Sequence, residues 1–332
     1  MGIHRDSGMR PTSDLPERPP APLPVGISQC LLGEQVRYDG TGAASSFPAK
    51  ALDGLFEYRT ICPEVGIGMS VPREPIRLVG SASDYRVVGV KDPAIDKTED
   101  LQRYAVKKLP AVESLAGYIF MHNSPSCGLH RVKVYGSASG PPVRNGRGAY
   151  AAEITRHLPQ LPVEDAGRLF DEVLRENFVS QTFAYAHWQR VVAELSAARL
   201  IEFHSRYKYL LMAHSQVAYR EAGRLLSDLS GDLSGKAAAY IGVLMHGLRQ
   251  PANRAGHANV LAHLQGYLKR HIDSASRREL AALIDEYRRG EQPLLAPMAL
   301  LRHHFGRHPD PYVLAQTYLE PHPKRAGLRR TL

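Results

Sequence analysis

The sequence is poor in cysteine and tryptophan, and it has no long apolar run. It contains 3 cysteines and 1 tryptophan in 332 residues, and no two cysteines form a close Cys-x-x-Cys pair. So few cysteines, in an odd number, exclude a closed disulfide framework and suit a reducing compartment, so we expect a cytoplasmic protein. No apolar stretch reaches the roughly 18 residues of a membrane-spanning helix and no secretion signal opens the chain, so we expect no membrane association.

The composition is otherwise that of a globular protein. Hydrophobic residues make up 43% and charged residues 23% of the chain, and its length predicts about two domains. Residues 1–24 differ because they hold six prolines among polar residues without apolar periodicity. Such a segment buries too little surface to offset its ordering entropy, so we predict a disordered tail over residues 1–24.

Residues 25–165 alternate between strand-type and helix-type patterns. Short β-branched and aromatic runs predict strands at residues 25–28, 56–61 and 117–121, with helical composition between the second and third. Two further runs, 76–79 and 86–90, are separated by a turn and are expected to pair and extend the same sheet. This alternation predicts an α/β domain with a largely parallel sheet.

The remainder of the chain has helical periodicity. Residues 166–200 are expected to form connecting helices, and residues 201–332 an all-α helical bundle domain. Residues 201–332 contain 19 Lys and Arg against 11 Asp and Glu. This excess could attract an anionic partner such as a nucleic acid, although charged helix faces are usually only solvated. The sequence gives no indication of the oligomeric state.

Each of the three cysteines follows a predicted strand. Cys30, Cys62 and Cys127 lie 32 and 65 positions apart, in turn-forming contexts. Since ligands of open α/β sheets bind beyond the carboxyl ends of the strands, these thiols can converge. Buried core thiols and a zinc site remain alternatives, although zinc ribbons and fingers have closer cysteine pairs. An iron-sulfur cluster held by three thiolates would leave one iron open for chemistry.

Motifs around the cysteines resemble those of the thiouracil desulfidase family. They are CLLGE at 30–34, RYDG at 37–40, CPEV at 62–65, VPREPIRLV at 71–79 and SPSCG at 124–128. Three motifs in the helical half resemble the YbgA-type domain often fused to that family: YKYLLMAHS at 207–215, HANVL at 257–261 and PDPY at 309–312. Together the two resemblances cover nearly the whole chain.

The resemblance implies a 4Fe-4S cluster on Cys30, Cys62 and Cys127. It further implies non-redox removal of sulfur from a thiolated pyrimidine, 2-thiouracil or a related base or nucleotide, to give the oxo form and sulfide. We hypothesise that the thiocarbonyl sulfur binds the open iron, which makes the attached carbon more electrophilic.

Three side chains near these motifs are expected to be catalytic. Glu64 is expected to accept a proton from the attacking water, and Ser124 or Ser126 to stabilise the tetrahedral intermediate. Each of these residues also has a structural interpretation. Glu64 could cap the N-terminus of a helix, and the two serines could shape a turn.

The remaining expectations concern substrate contacts and a neighbouring ion-pair network. Four residues are expected to contact the substrate: Arg37, Tyr38, Asp39 and Asn123. At position 123 many members of the family have a basic residue, so this chain departs from the pattern there. Arg73, Glu74 and Arg77 are expected to form a structural ion-pair network without a catalytic role.

A nucleic-acid-binding protein is the alternative to an enzyme. In that hypothesis the basic helical domain grips the nucleic acid, and the cluster is a structural or redox-sensing element. Release of sulfide from a thiolated pyrimidine favours the enzyme, whereas salt-dependent RNA affinity without sulfide release favours the alternative.

Overall fold

The computed structural model describes residues 15–136 and 140–323, which form an α/β region followed by a helical region. The strands, numbered in chain order, are β1 (Leu23–Ser28), β2 (Phe56–Ile61), β3 (Ile76–Gly80), β4 (Tyr85–Gly89), β5 (Gly117–Phe120), β6 (Val132–Tyr135), β7 (Val143–Gly146) and β8 (Val163–Asp165). The helices are α1 (Pro63–Gly66), α2 (Thr98–Glu113), α3 (Ala149–His157), α4 (Glu172–Ala193), α5 (Ala197–His214), α6 (Gln216–Leu225), α7 (Leu233–Arg249), α8 (Arg254–Tyr267), α9 (Ser274–Arg289), α10 (Leu295–Arg307) and α11 (Pro311–Leu314). The predicted fold class is confirmed.

The first sheet is parallel and has the order β2-β1-β5-β8. Its central strands are apolar and almost fully buried, as expected where both faces of a parallel sheet are covered. The register pairs Val25 with Tyr58 on one side and with Gly117 on the other. The carboxyl ends of β2, β1 and β5 therefore meet at one edge.

The predicted hairpin does form, but it does not extend the parallel sheet. β3 and β4 pair antiparallel within a second sheet of order β4-β3-β6-β7. Alternate residues of β3 are buried, and its apolar face packs with Leu101 of α2 and Ala149 of α3. The expectation of one extended sheet was wrong. A local alternating pattern predicts that two neighbouring strands pair with each other, but it does not predict which sheet the pair belongs to.

The described part of the expected tail is packed against the helical region. Leu15 is buried in the helical core, and the carbonyl of Pro16 lies 2.8 Å from Nε2 of His187. Arg18 donates a 2.6 Å hydrogen bond to the carbonyl of Glu320. Residues 15–24 thus differ from the prediction of disorder, because distant parts of the chain supply a surface that composition does not reveal. Residues 1–14 lie outside the described residues.

The helix α4 belongs to the cores of both regions. Asp171 caps its start by accepting hydrogen bonds from two backbone amides. Phe178 and Phe183 pack under the parallel sheet, whereas Trp188 and Val191 pack in the core of the helical region. The expected connecting helices are therefore one long helix shared by two cores, followed by the break before α5.

The helical region from α5 onward is a bundle around buried leucines and aromatic rings. Ser196, Ser215 and Asn253 begin three of its helices as side-chain caps. Across the part of the chain that the structure describes, no helix combines the length and apolar character needed to cross a membrane.

Candidate functional site

The three cysteines lie beyond the carboxyl ends of neighbouring strands. Cys30 lies in the turn after β1, and Cys62 directly follows β2. Cys127 lies in the loop after β5. Since the chain adds β2 on one side of β1 and β5 on the other, this edge is the switch point where open α/β sheets bind ligands. All three cysteines line one cavity of about 490 Å³.

All three cysteines are free thiols, and burial disfavours their ionisation. Burial, reinforced by the neighbouring Cys62, raises the pKa of Cys30 to about 11, although the Arg37 guanidinium opposes the shift. Burial also raises the pKa of Cys62, and that of Cys127 well above the usual range. The thiols therefore carry protons at neutral pH, and a bound metal must displace them.

The donor set decides which metal group the cavity suits. Within residues 15–136 and 140–323, no three His, Cys, Asp or Glu side chains come together in a way that holds one metal ion. A single zinc ion would need its thiolates within Zn-S bonds of about 2.3 Å, closer together than the described thiols lie. A 4Fe-4S cluster is a body of eight atoms, so its ligands stand farther apart, and three thiols around one cavity fit it.

Glu64 lies in the first turn of α1, and its carboxylate is held from two sides. Its Oε2 accepts a 2.8 Å hydrogen bond from Arg73 Nε and lies 2.7 Å from Arg73 Nη2. Its Oε1 accepts a 2.8 Å hydrogen bond from Ser126 Oγ. Only 14% of the Glu64 side chain and 5% of the Arg73 side chain are exposed. The carboxylate is therefore compensated and oriented by side chains from two loops.

The two serines have different surroundings. Ser124 lines the cavity, and its Oγ accepts hydrogen bonds from the amides of Ser126 (3.2 Å) and Cys127 (3.0 Å). A hydroxyl accepts two hydrogen bonds and donates one, so the proton of Ser124 is free to point into the cavity. Ser126 is fully buried, and its hydroxyl donates a hydrogen bond to Glu64. Both serines shape the loop that carries Cys127.

Three of the four residues expected to contact the substrate line the cavity. Arg37 and Tyr38 come from the loop after Cys30, and Asn123 from the loop after β5. Asn123 has a φ of 57°, a left-handed conformation that asparagine tolerates better than most residues. Asp39 lies outside the lining, and its Oδ1 accepts hydrogen bonds from the backbone and hydroxyl of Thr41. Asp39 therefore shapes the loop.

Known proteins match the two halves of the chain separately. A family model described as 2-thiouracil desulfurase matches residues 25–166, and one described as a protein of unknown function, DUF1722, matches residues 208–323. The uncharacterized protein YbgA of Escherichia coli strain K12 is 43% identical over 142 residues, which is 41% of this chain and 82% of the relative. The uncharacterized protein YbbK of Bacillus subtilis strain 168 is 34% identical over 110 residues, 31% of this chain and 71% of the relative. The chain belongs to the 2-thiouracil desulfurase and DUF1722 families.

A solved structure is also similar to the chain. The 4Fe-4S-dependent thiouracil desulfidase TudS is 26% identical, with 45% of this chain and 93% of that chain covered. The TM-score is 0.35, which does not establish a shared overall fold. The family membership, rather than this likeness, confirms the resemblance that the sequence motifs indicate.

Arg73 pairs with Glu64 and not with the neighbouring Glu74 that the sequence analysis expected. The expected network of Arg73, Glu74 and Arg77 does not form, because the three side chains have different partners. Arg73 contacts Glu64, Glu74 accepts from the amides of Lys91 and Asp92, and Arg77 lies over the ring of Tyr135. The motif gives the proximity of these residues in sequence but not the direction of each side chain.

Two further residues, Ser28 and His122, also line the cavity. Ser28 Oγ accepts a 2.9 Å hydrogen bond from the amide of Met121 and stands beside the Cys127 thiol. His122 lines the cavity, and burial, with the nearby Arg37, lowers its pKa, so its ring is neutral at pH 7. Only the position of Ser28 and His122 immediately at strand ends could have indicated them from sequence.

Asp165, the last residue of β8, holds the segment that follows Cys127. Its carboxylate accepts hydrogen bonds from the amides of Leu129 (3.0 Å) and His130 (3.1 Å), which follow the Cys127 motif. Burial raises the pKa of Asp165 to about 6, although both amide hydrogen bonds oppose the shift. The carboxylate therefore ties the cysteine loop to the neighbouring strand.

Proposed function

We propose that the desulfurase domain hydrolyses the thiocarbonyl group of a pyrimidine, using a 4Fe-4S cluster held by Cys30, Cys62 and Cys127. The observation that carries the proposal is that these three thiols, Glu64 and Ser124 line one cavity. Water supplies the oxygen of the product and sulfur leaves as hydrogen sulfide, so the reaction balances without an oxidant or reductant. The family to which residues 25–166 belong supports this reaction class.

The cluster would supply one kind of chemistry that the side chains lack. When bound, it provides an iron without a cysteine ligand, a Lewis acid suited to a soft sulfur atom. The chain has only three cysteines, all on the cavity wall, so a fourth thiolate from the same chain is excluded.

Glu64 is the proposed general base. Its Oε2 is occupied by Arg73, whereas its Oε1 accepts only from Ser126 among its hydrogen bonds to described residues. A carboxylate oxygen has room for two hydrogen bonds, so Oε1 can also bind a water molecule on the cavity side. Proton transfer from that water to Oε1 would accompany its attack on the thiocarbonyl carbon.

Ser124 and Arg37 are proposed to act on the charge that develops during attack. The free hydroxyl of Ser124 can donate a hydrogen bond to a negatively charged intermediate. Because two backbone amides already hold this oxygen in place, the loop does not have to rearrange for it to do so. The Arg37 guanidinium lines the same cavity and adds positive potential. Tyr38 and Asn123 are proposed to contact the pyrimidine ring.

The test is anaerobic reconstitution with iron and sulfide, followed by incubation with 2-thiouracil. We expect about four irons per chain and equal amounts of uracil and sulfide. The matched variants are Cys62→Ser, which removes one thiol, and Glu57→Gln, which changes an exposed carboxylate on β2. Cys62→Ser should lose iron and turnover, and Glu57→Gln should retain both. A fully iron-loaded protein that converts neither 2-thiouracil nor a thiolated nucleotide would overturn the proposal.

A second candidate function rests on the helical domain. A cleft between α5 and α6 is lined by Arg220, Arg224, His204 and Tyr219, and none of the ion pairs found between described residues involves either arginine. We propose that this basic surface contacts a nucleic acid. A double Arg220→Gln and Arg224→Gln variant should weaken RNA binding and flatten its salt dependence. RNA affinity equal to that of the wild-type chain would contradict the candidate.

A further inference from the structure

Three loops carry the three cysteines to the cavity. We name them the Cys30 loop (residues 29–42), the Cys62 loop (residues 62–75) and the Cys127 loop (residues 121–131). Between these loops the thiols make only weak contacts, such as that of Cys62 Sγ with the carbonyl of Val36 at 4.0 Å. The arrangement of the loops must therefore depend on other groups when no metal is bound.

Arg73 joins the Cys62 loop to the Cys30 loop. Its Nη2 donates to the carbonyl of Val36 at 2.9 Å, and its backbone amide donates to the carbonyl of Tyr38 at 2.8 Å. A third contact, from Nη1 to the carbonyl of Ser70 at 3.2 Å, fixes the side chain within its own loop. The planar guanidinium is suited to such simultaneous contacts, whereas the ammonium group of lysine is a single point of charge.

Glu64 continues the connection to the Cys127 loop. Its Oε2 receives both Nε and Nη2 of Arg73, and its Oε1 receives the hydroxyl of Ser126. The hydrogen-bonded chain Val36-Arg73-Glu64-Ser126 thus touches all three cysteine loops. We name it the Arg73 bridge.

We infer that the Arg73 bridge holds the three cysteine loops in place in the metal-free protein, so that the thiols are arranged before iron binds. The pair at its centre is almost buried, and burying two charges carries a desolvation cost. Such a pair is best explained by the arrangement it specifies, here the relative position of three loops that the weak contact of Cys62 Sγ with Val36 does not fix. The inference takes the three cysteines as cluster ligands from the proposed function, but the bridge itself is a property of the free chain.

The test is hydrogen-deuterium exchange on the full-length, metal-free protein. In Arg73→Met, amides of residues 36–41 should exchange at least tenfold faster than in the wild type. Arg73→Lys, which keeps the charge and loses the fork, should show a smaller increase. The control Arg86→Gln removes an exposed ion pair with Asp96 on the second sheet and should leave these amides unchanged.

Amides of α7 report whether each variant is folded. If the α7 amides also exchange faster in Arg73→Met, that variant is destabilised as a whole, and the exchange of residues 36–41 in Arg73→Lys is used in its place. Unchanged exchange at residues 36–41 in a folded Arg73→Met, or in Arg73→Lys where that variant decides, would overturn the inference.

Iron loading separates this inference from the proposed catalysis. Under identical reconstitution, Arg73→Met should bind less than half the iron of the wild type. Glu64→Gln should load fully, because its amide oxygen still accepts from Arg73 and its NH2 group can donate to Ser126. If the wild-type protein loads iron without desulfurating, the proposed function fails and the bridge stands. If Arg73→Met loads normally with unchanged exchange, the bridge fails and the proposed function stands.

Discussion

Arg73 gives two of its N–H groups to a single oxygen of Glu64, Oε2. The other oxygen, Oε1, is left to the Ser126 hydroxyl and to the cavity. A carboxylate in this arrangement is oriented by one oxygen and offers the other for chemistry. If Cys62 is a cluster ligand as proposed, this arrangement would let Glu64, two positions away, combine a structural role with the proposed catalytic one.

Replacing Glu64 with glutamine should separate those two roles. The amide keeps the shape, its oxygen still accepts from Arg73 and its NH2 group can donate to Ser126, but the amide cannot accept a proton from water. We expect kcat for 2-thiouracil to fall at least about 100-fold while iron content and cluster absorbance stay at wild-type values. Steady-state kinetics on reconstituted protein measure kcat, with Glu57→Gln as the control. Full activity in Glu64→Gln would remove it from the mechanism.

The two serines should differ in the size of their effects. Ser124→Ala removes a free donor on the cavity wall, and we expect kcat to fall about 100-fold with little change in KM. Ser126→Ala removes a donor already committed to Glu64, so its kcat should fall by about tenfold or less. Steady-state kinetics of the two variants, normalised to bound iron, give the comparison. The reverse order of effects would assign the donor role to Ser126.

Asp165 should make the metal-free protein less stable as the pH rises through its pKa. Its folded-state pKa of about 6 is higher than the roughly 4 of an unfolded chain, so the folded state binds more protons between these values. The free energy of unfolding of the wild type should therefore fall from pH 4 to pH 6, relative to Asp165→Asn, by about 2 kcal/mol.

Urea denaturation of the wild type and of Asp165→Asn across this pH range measures the difference, because other titrating groups cancel between the two chains. Parallel pH dependences of the two proteins would show that the buried carboxylate is ionised at no cost.

The shared helix α4 should couple the unfolding of the two regions. Phe183 packs under the sheet and the next residue, Ala184, packs in the helical core, so Phe183→Ala leaves a cavity where the two cores adjoin. We expect a loss of about 3 to 5 kcal/mol in the free energy of unfolding, with one transition in both fluorescence and circular dichroism. Phe170→Ala, at a side chain 53% exposed, is the control. Two separate transitions would show that the regions unfold independently.

Local patterns sufficed for much of the fold. The strand Phe56–Ile61 is predicted residue for residue because its β-branched and aromatic run is bounded by turn residues. The cysteines could be grouped because each follows a strand, and the carboxyl ends of parallel strands meet at one edge. These inferences need only periodicity and strand order.

Contacts between distant segments were beyond such reasoning. Nothing local to Leu15 indicates that it packs in a helical core formed some 200 residues later, and nothing around Arg73 shows that it turns toward Glu64 rather than Glu74. Side-chain direction depends on the assembled loops, so the expected ion-pair network was wrong although its members are close in sequence. The same limit applies to Ser126, whose partner is 62 residues away.

The central claim is tested most directly by supplying 2-thiouracil to the anaerobically reconstituted protein in water enriched in oxygen-18. The account predicts about four irons per chain, sulfide and uracil in equal amounts, and one solvent oxygen in each uracil. Unchanged 2-thiouracil in the presence of a fully loaded cluster, or uracil without solvent oxygen, would contradict hydrolytic desulfuration at this cavity.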